Sequence, residues 1–543
     1  MTRRLHRLRR AGYVIIALFV VVIVGYCFGL RWFIHRQIIA ALHSAGIRVV
    51  QVSVRRVTPW TLELTDLQTG EAAPDRIATI AVGYSPSTLW NRRVSEVRLS
   101  GVDVSLALGD GRFDIGPLSG IKSSGTSKGP AAPLDLPFNR IVLQSSSITV
   151  HLPAETLHVP AQGSLTRRGD GAFQVDLNLT VSLRPLHVTG TVGPTSRDID
   201  LAATTERLDA APVAEVASAF LSAARLTAHG SVTATARVHR SGGKSEAALT
   251  IEPSAVSLTF VPHTRSQQPT TVEDITGILQ TEVSLASDTP ARGAVTFRDL
   301  ALTARSWNGS AQAIAGAVTF DDVAKLKTQP AQTIHVGKLT IGKMQFTDGL
   351  LVFDVAGAHS MGIHKTQWSW LGGTVSAADF HLDPSQPKVN ATVQLAVVDL
   401  HELLAFFAAD KASGEGKLSG RIPLVVDWPA ISFGRGNLQA SRGRVQIKDL
   451  KAMSAALDQT GQSGTSDVKK RVIEALSDFE YDVLRADLLS DSSGLTAGVH
   501  LSGRGHGGAR TPLDTELKIH GIDDVLKLYL GYQRQKSAAG QKN

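Results

Sequence analysis

The sequence VDLNLTVSLR, residues 175–184, decides the fold because its side chains alternate between apolar and polar. Val175, Leu177, Leu179 and Val181 fall on one face of an extended chain, and the polar residues between them fall on the other face. The same alternation, separated by Gly, Pro, Asp and Ser, recurs in residues 232–238, 256–260, 389–395, 495–501 and 513–519. This pattern predicts a mainly β chain, built as a long antiparallel sheet with one dry face and one wet face.

Residues 97–108 (VRLSGVDVSLAL) show how this sheet is expected to bend. Their alternation changes phase at Gly101, which predicts a bulge or a tight turn there. If roughly 400 residues are extended, they form about 30 to 40 strands spaced about 4.8 Å apart, a sheet of roughly 140 to 190 Å at most.

A few segments depart from the β pattern. Asp399 is a plausible N-cap, with Glu402 three residues later, for a helix over residues 399–409. Gly/Ser/Pro-rich residues 120–133 and residues 460–466 predict loops, and residues 533–543 predict a flexible tail. Four further helices are predicted over residues 32–45, 210–224, 467–489 and 523–532.

The N-terminal residues 11–30 (AGYVIIALFVVVIVGYCFGL) carry no charge and, as a helix, would reach about 30 Å, the thickness of a bilayer core. Five arginines precede this segment, so the positive-inside bias places the N-terminus in the cytoplasm and the rest of the chain outside it. A cleavable signal peptide is the competing interpretation, but the apolar stretch is long and no A-x-A-like site follows. The segment predicts a retained single-pass anchor, which excludes a polytopic transporter.

Amino-acid composition excludes further classes of function and site. The five arginines before residue 11 account for most of the net charge of +8, so the remaining chain is not the basic surface of a nucleic-acid-binding protein. The only cysteine, Cys27, lies in the apolar segment, which excludes disulfides and thiolate metal sites from the exported part. Charged residues make up 19% of the chain, below the roughly 25% of ordinary globular proteins.

Motifs for catalysis and cofactors are absent from the sequence. The chain has no H-E-x-x-H, G-x-S-x-G, C-x-x-C or Walker-type motif. The nearest metal candidates are His500 with His506, His359 with His364, and Asp321 with Asp322, none at a suitable spacing. His500 is expected to be a solvated strand residue, and the two aspartates are expected in a turn.

Two other groups of residues have ordinary structural interpretations. Gly414, Gly416 and Gly420 resemble a phosphate loop, but no strand-to-helix switch with a following acidic residue supports that role. Four tryptophans are expected to be separate packing or rim residues rather than a stacking platform: Trp307, Trp368, Trp370 and Trp428.

Several short motifs follow one another in the C-terminal part of the chain. They are WLGG (370–373), DLHELL (399–404), GEGKLSGRIPL (414–424), GNLQA (436–440), ALSDFEY (475–481) and PLDTELKIHG (512–521). With these motifs, the chain from about residue 337 resembles the YdbH family within the wider AsmA-like group of bacterial envelope proteins. The residues that carry the resemblance most specifically are Gly372, Gly373, Gly414, Gly416, Gly420, Pro423, Phe479 and Tyr481.

The resemblance implies a β-sheet curled into a trough whose apolar interior carries phospholipid between the inner and outer membranes. The apolar phase of the strands would then line the trough, with these candidates: Val175, Leu177, Leu179, Val181, Val389, Val393, Leu395, Leu495 and Val499. It also implies a small outer-membrane lipoprotein as partner, adding strands at a terminal edge such as residues 513–519. No cofactor, metal or catalytic residue is implied.

The expected organisation follows from these segments. It comprises a cytoplasmic N-terminus (1–10), an inner-membrane anchor (11–30), an N-terminal AsmA-like β region (31–119), a linker (120–133), a central β-trough (134–336), a YdbH-like C-terminal domain (337–532) and a tail (533–543). The bulk of the chain is expected in the periplasm.

Three alternatives remain open at this stage. From the pattern alone, the apolar face could be the filled core of a closed sandwich or solenoid. The second alternative, associated with AsmA-like chains, is a scaffold or assembly factor for the outer membrane. Dicarboxylate transport, a label attached to the family, ranks last because one span cannot form an alternating-access path.

Overall fold

The computed structural model describes most of the β-rich part of the chain. The described residues are 36, 39, 49–69, 75–90, 93–109, 112–114, 138–152, 156–193, 198–218, 224–241, 244–262, 270–286, 289–304, 308–323, 325–357, 360–383, 388–408, 412–427, 430–448, 474–475, 477–491, 494–505 and 512–519. The predicted anchor, both predicted loops, the tail and the predicted helix 523–532 lie outside the described residues. Among the described residues, no helix combines the length and apolar character that crossing a bilayer requires.

The described residues contain 28 strands and three short helices. The strands up to the middle of the chain are β1 (Val49–Val57), β2 (Thr61–Thr69), β3 (Asp75–Gly83), β4 (Val94–Gly109), β5 (Arg112–Asp114), β6 (Phe138–His151), β7 (Thr156–Arg167), β8 (Phe173–Val181), β9 (Arg184–Val192), β10 (Ile199–Asp209), β11 (Ala224–Ser241), β12 (Lys244–Pro262), β13 (Thr270–Ala286) and β14 (Thr289–Ala304). The others are β15 (Gly309–Asp322), β16 (Lys327–Thr328), β17 (Gln332–Ile341), β18 (Met344–Gly357), β19 (Ser360–Trp370), β20 (Gly373–Leu382), β21 (Lys388–Asp399), β22 (Ala412–Glu415), β23 (Lys417–Asp427), β24 (Ala430–Phe433), β25 (Gly436–Ile447), β26 (Phe479–Asp491), β27 (Gly494–Gly505) and β28 (Pro512–Ile519).

The mainly β prediction is confirmed, and the other segments predicted from alternation lie within strands. The prediction over residues 175–184 is wrong at its end, because β8 stops at Val181 and Ser182 (φ 48°) and Leu183 (φ 66°) form the turn to β9. Asp321 and Asp322, expected in a turn, instead end β15, where Asp322 Oδ1 accepts a hydrogen bond from the Lys325 amide at 3.1 Å.

The helices are α1 (Pro86–Trp90), α2 (Ala210–Ser218) and α3 (Leu400–Ala408). Two of them confirm predicted helices at shorter length, whereas α1 was not predicted. The helix predicted over residues 467–489 is wrong from Phe479 onward, because those residues form β26. In the sequence Phe479 follows Leu476 by one helical turn and Val472 by two, but the residues after it also fit a strand that pairs with β25 and β27.

The described residues divide into two compact units: Met1–Ile251 with Ser284–Ser287, and Glu252–Val283 with Asp288–Asn543. In the first unit, strands β1 to β4 pair consecutively and antiparallel, as do β6 to β11. The antiparallel prediction is wrong for one pair, since β4 and β6 run parallel. A parallel pair needs a connection of about a dozen residues or more, and the long segment between these strands supplies it.

The second unit has the same ladder pattern. Strands β14, β15, β17, β18, β19, β20, β21, β23, β25, β26, β27 and β28 pair antiparallel in that order. Short strands attach beside this ladder, β16 to β15, β24 to β23, and β22 to β25. The domain boundaries proposed from the sequence stay predictions.

Single residues with positive φ interrupt many strands. In the first unit Asp66 (φ 55°), Gly101 (φ 64°) and Ser145 (φ 46°) lie at the same level of neighbouring strands, with Ala78 between the first two. The backbone is irregular at Gly101, but the predicted bulge or turn is wrong, because β4 keeps its register with β3 and β6 there. Asp66 and Ser145 lie at register shifts towards β1 and β7, and a bulged strand bends and twists more strongly.

One strand-to-helix arrangement occurs once in each unit. Strand β10 ends at Asp209 and strand β21 ends at Asp399, and each aspartate Oδ1 accepts the amide of the residue two positions later, at 3.1 and 2.8 Å. The register is shifted just before each aspartate. Helices α2 and α3 therefore begin at equivalent capped positions.

Candidate functional site

The strand register of the first unit places apolar residues opposite one another across nine strands. One such row consists of Leu62, Val82, Val97, Ile141, Leu165, Val175, Gly190, Leu201 and Val238. A parallel row passes through Leu64, Ile80, Leu99, Leu143, Gly163, Leu177, Val188, Ala203 and Ala236. We call these two rows, together with Leu179 and Val181 of β8, the first apolar face.

The first apolar face is mostly half-buried rather than filled. At the start of β8 Phe173 and Val175 are buried, whereas Leu177, Leu179 and Val181 keep part of their surface accessible. Val238 at the end of its row is 42% exposed. Asp176 and Asn178, which point the other way, are exposed. The core of a closed sandwich would bury such residues between two layers. A continuous half-exposed apolar face of this extent is typical of a binding surface.

The opposite face of the first unit carries ion pairs, two between neighbouring strands and one, Arg98 with Glu96, within β4. Arg55 contacts Glu63 at 3.2 Å, Arg98 contacts Glu96 at 2.7 Å, and the Arg237 guanidinium binds Asp200 through two hydrogen bonds of 3.0 and 2.8 Å. The Arg237 hydrogen bond lowers the pKa of Asp200. Alternation therefore separates an apolar face from a solvated one, as predicted.

The second unit has its own apolar row, which runs across eight strands. It consists of Trp368, Val375, Leu395, Gly420, Leu438, Ala486, Val499 and Leu517. The next row contains Val393 opposite Ile422, and Val389 lies opposite Val426 further along β21. The predicted candidates Val389, Val393, Leu395 and Val499 thus share one face, which we call the second apolar face. Leu495 lies on β27 opposite Ser490.

Exposure on the second apolar face increases with distance from helix α3. Next to the helix, Val398, Leu418, Ala440, Leu484 and Leu501 are between 0 and 7% exposed. All of these except Val398 belong to one closed core with Leu400. One row away, Leu395 is 9% exposed and Leu438 and Val499 are half-buried. Helix α3 therefore closes one end of the face, and the rest stays accessible.

Most of the motif residues that carry the resemblance meet around the start of α3. The Asp399 amide donates to the Leu371 carbonyl at 2.9 Å, and the Leu400 amide donates to the Gly416 carbonyl at 3.0 Å. Lys417 Nζ binds Asp399 Oδ2 at 2.8 Å, which lowers the pKa of Asp399. Phe479 and Tyr481 are buried, and Tyr481 Oη donates to the Glu415 carbonyl at 2.9 Å.

The backbone conformation explains why glycine occupies two positions of this cluster. Gly372 (φ 67°) follows Leu371 (φ 45°) in the two-residue turn between β19 and β20, a conformation that favours glycine. Gly416 has φ 140°, and a Cβ there would clash with Tyr481 Oη.

The other motif residues pack nearby or on the adjoining sheet. Gly373 lies against the Val398 backbone, and Gly414 lies beneath Leu404 of α3. Gly420 belongs to the second apolar face, and Pro423 of β23 packs against Gly434. Most motif residues therefore build a packed cluster beside α3, and Gly420 lies on the second apolar face.

Two of the tryptophans lie in one aromatic cluster, which the sequence analysis did not predict. Trp368 and Trp370 both contact Phe346, at ring-centroid distances of 6.3 and 5.8 Å, and Trp370 also contacts Phe406 of α3 at 6.3 Å. The expectation that these tryptophans are separate is wrong, because residues two apart on a strand share a face. Trp307 and Trp428 lie outside the described residues.

The polar candidates form no metal site in the part of the chain that the structure describes. His364 Nε2 pairs with Asp354 Oδ1 on the polar face, and His500 lies on β27 opposite Arg485 and Glu516. Asp321 Oδ1 accepts from Gln329 at 3.4 Å, while Asp322 contacts Lys325. His359 and His506 lie outside the described residues.

Comparisons with known proteins place these features in a family. A family model described as the intermembrane phospholipid transport protein YdbH matches residues 17–315 and 279–513. No curated protein and no solved structure matches the chain. The two matched segments cover most of the chain, including both apolar faces and the cluster around α3. The chain therefore belongs to the YdbH-like family of intermembrane phospholipid transport proteins.

Proposed function

We propose that this chain transports phospholipid without catalysis, by shielding acyl chains on its two apolar faces while headgroups stay in water. The supporting observation is that apolar side chains are in register from strand to strand and remain half-exposed. Exposing an acyl chain to water costs about 0.8 kcal/mol per methylene. An unbroken apolar face removes most of that barrier between neighbouring positions.

The proposal includes how the chain is placed in the envelope. Residues 11–30 anchor it in the inner membrane with the remainder in the periplasm. At the other end, β28 has one strand partner within the described residues, β27. Its second edge can accept a strand from a small outer-membrane lipoprotein by β-augmentation. The direction of transport is then set by lipid gradients or by partners.

A charge placed on either apolar face tests the proposal. Leu177→Lys in the first unit and Val393→Lys in the second insert an ammonium group into the path, whereas Asn178→Lys and Gln394→Lys place it on the solvated face one residue away. The readout is the arrival of pulse-labelled phospholipid in the outer membrane of cells that depend on this chain for that transfer.

We expect each apolar-face variant to reduce transfer strongly, since the charge obstructs the face along which acyl chains move in that unit, and each control to retain it. Protease resistance of the purified variants verifies folding. Normal lipid transfer in a folded Leu177→Lys or Val393→Lys chain contradicts the proposal, and loss of outer-membrane protein assembly alone supports a scaffold role instead.

A further inference from the structure

Two tryptophans of the first unit are exposed at neighbouring loops. Trp60 lies in the β1–β2 turn and is 57% exposed, and Trp90 ends helix α1 and is 91% exposed. Trp368 and Trp370, by contrast, are half-buried in the aromatic cluster of the second unit. We refer to residues 58–61, 84–90 and 93 as the tryptophan tip.

Hydrogen bonds join the two loops and fix their shape. The Tyr84 amide donates to the Trp60 carbonyl at 2.9 Å, and Tyr84 Oη donates to the Thr58 carbonyl at 2.6 Å. In the second loop, the Ser85 amide donates to Thr88 Oγ1 at 2.8 Å and the Thr88 amide donates to Ser85 Oγ at 3.2 Å. The exposure of both indoles is therefore a property of ordered loops.

The tryptophan tip has the composition of a membrane-interface anchor. Tryptophan combines a large apolar ring with one N–H donor and is enriched where hydrocarbon meets water. Exposed Arg56, Arg93 and Arg140 lie at the same ends of the strands, where they favour anionic headgroups.

The chain upstream keeps the first unit close to a bilayer. Residues 31–48 separate the predicted anchor from β1, and even fully extended they span at most about 60 Å. Ile39, within that segment, packs against the Val52, Leu64 and Leu67 cluster of the first unit. Strand β1 begins at the strand ends away from the tip, but its nine residues span only about 30 Å, less than the extended linker. The surface of the membrane in which the chain is proposed to be anchored is therefore within reach of the tip.

We propose that the tryptophan tip inserts Trp60 and Trp90 into the headgroup region of that membrane and so holds the edge of the first apolar face against the lipid surface. This inference rests on the proposed function only in placing the first unit beside a bilayer. Beyond that function, it names the surface with which the protein contacts the membrane leaflet that donates or accepts the lipid.

Depth-dependent fluorescence quenching tests the inference on the full chain. Cys27→Ser removes the native thiol, and Trp90→Cys supplies a single site for an environment-sensitive fluorophore. The protein is reconstituted into vesicles of phosphatidylethanolamine and phosphatidylglycerol that contain lipids with a nitroxide at the headgroup or along the acyl chain. Trp60→Cys gives a second labelled chain.

Leu183→Cys is the matched control. Leu183 is 93% exposed in the β8–β9 turn, but that turn lies at the other ends of the strands, more than about 25 Å from the tip along the strand direction. We expect headgroup nitroxides to quench the label at position 90 or 60 at least about threefold more than the label at 183.

Trp60→Ser in the chain labelled at position 90 is expected to lower that quenching, because it removes the tryptophan that remains in the tip. Equal, weak quenching at positions 90 and 183 in vesicle-bound protein overturns the inference. So does capture of a protein, without lipid contact, by a photoreactive residue at position 90. If the tip stays in water while lipid transfer remains sensitive to Leu177→Lys, the proposed function stands and this inference fails.

Discussion

At the scale of single residues, the motif positions and the residues of the proposed lipid path are largely different. Gly416, Phe479 and Tyr481 build the closed cluster beside α3, whereas Leu177 and Val393 lie on half-exposed strands. The sequence motifs could be recognised because packing at such a crowded point tolerates few residue types. The apolar faces tolerate many, so only alternation indicates them.

Tyr481→Phe tests the buried hydrogen bond of that cluster. The change leaves the Glu415 carbonyl without its donor at a residue that is 2% exposed. We expect the free energy of unfolding of the second unit to fall by about 1 to 2 kcal/mol. Denaturant titration of the full chain measures this loss, and an unchanged midpoint would show that the bond contributes nothing.

The same residue predicts a pH dependence at alkaline pH. Burial raises the pKa of Tyr481 to about 12, above the ordinary value of 10.0. The neutral phenol is favoured in the folded state, so its contribution is fully present below pH 10 and is lost as the pH rises towards 12. The difference in unfolding midpoint between wild type and Tyr481→Phe should therefore shrink or reverse over that interval, and a constant difference would contradict the assignment.

Val397 has a strained backbone conformation. It is a β-branched residue with φ 59° and is 53% exposed. Val397→Asn should raise the free energy of unfolding by about 1 kcal/mol, because asparagine tolerates the left-handed conformation. Val393→Asn, on extended backbone of the apolar face, should instead lower it. Thermal melting compares the two, and destabilisation by both changes would count against strain at position 397.

At the scale of elements, the capped helices α2 and α3 mark equivalent positions in the two units. Each follows a register shift and an aspartate, and each packs beside the strand that continues the sheet. In the first unit Glu215 of α2 binds Arg225 of β11, while in the second Leu400 and Leu404 pack on Gly414. A helix beside a strand covers an edge that would otherwise be open.

Asp209→Ala and Asp399→Ala test this equivalence. Each change removes an N-cap, and we expect each to lower the unfolding free energy of its own unit by about 1 kcal/mol. Asp399→Asn keeps the cap and should recover most of the loss. Hydrogen exchange of α2 and α3 locates the effect, and a loss that spreads to both units from one substitution would contradict independent caps.

Acid should act on the second cap through Lys417. The Lys417 hydrogen bond lowers the pKa of Asp399, so the stability that this pair contributes is present above the ordinary pKa of 3.8 and is lost as the pH falls through the lower folded value. Asp399→Asn should be less sensitive to acid over that range than wild type. Equal acid sensitivity of the two proteins would show that the Asp399–Lys417 pair does not contribute to stability in acid.

Strands were predictable from the sequence, and their contacts were not. Alternation placed β8, β21 and β27 correctly because a half-exposed face imposes a period of two. The β4–β6 parallel pair depends on a long connection whose path no local pattern encodes. At Phe479 helical and strand periodicities coincide for a few residues, and pairing with β25 decides the outcome. The tryptophan tip was missed because exposure depends on tertiary structure.

At the scale of the whole molecule, family membership and the two apolar faces support the same activity from independent observations. The family is one of intermembrane phospholipid transport proteins, and each unit presents apolar rows that no described layer fills. A protein that only needed stability would bury these residues. Half-exposed rows cost stability and are retained where a ligand covers them.

Lipid photocrosslinking shows directly whether phospholipid lies on the two apolar faces. A photoreactive residue is placed at Leu177, Val393 or Val499 on the apolar faces, and at Asp176 or Gln394 on the solvated faces as matched controls. After illumination of intact cells, mass spectrometry identifies what each position captures. If acyl chains move along the apolar faces, phospholipid adducts form at the three apolar positions and none form at the controls. Capture of protein alone at the apolar positions, or equal lipid capture on both faces, would contradict it.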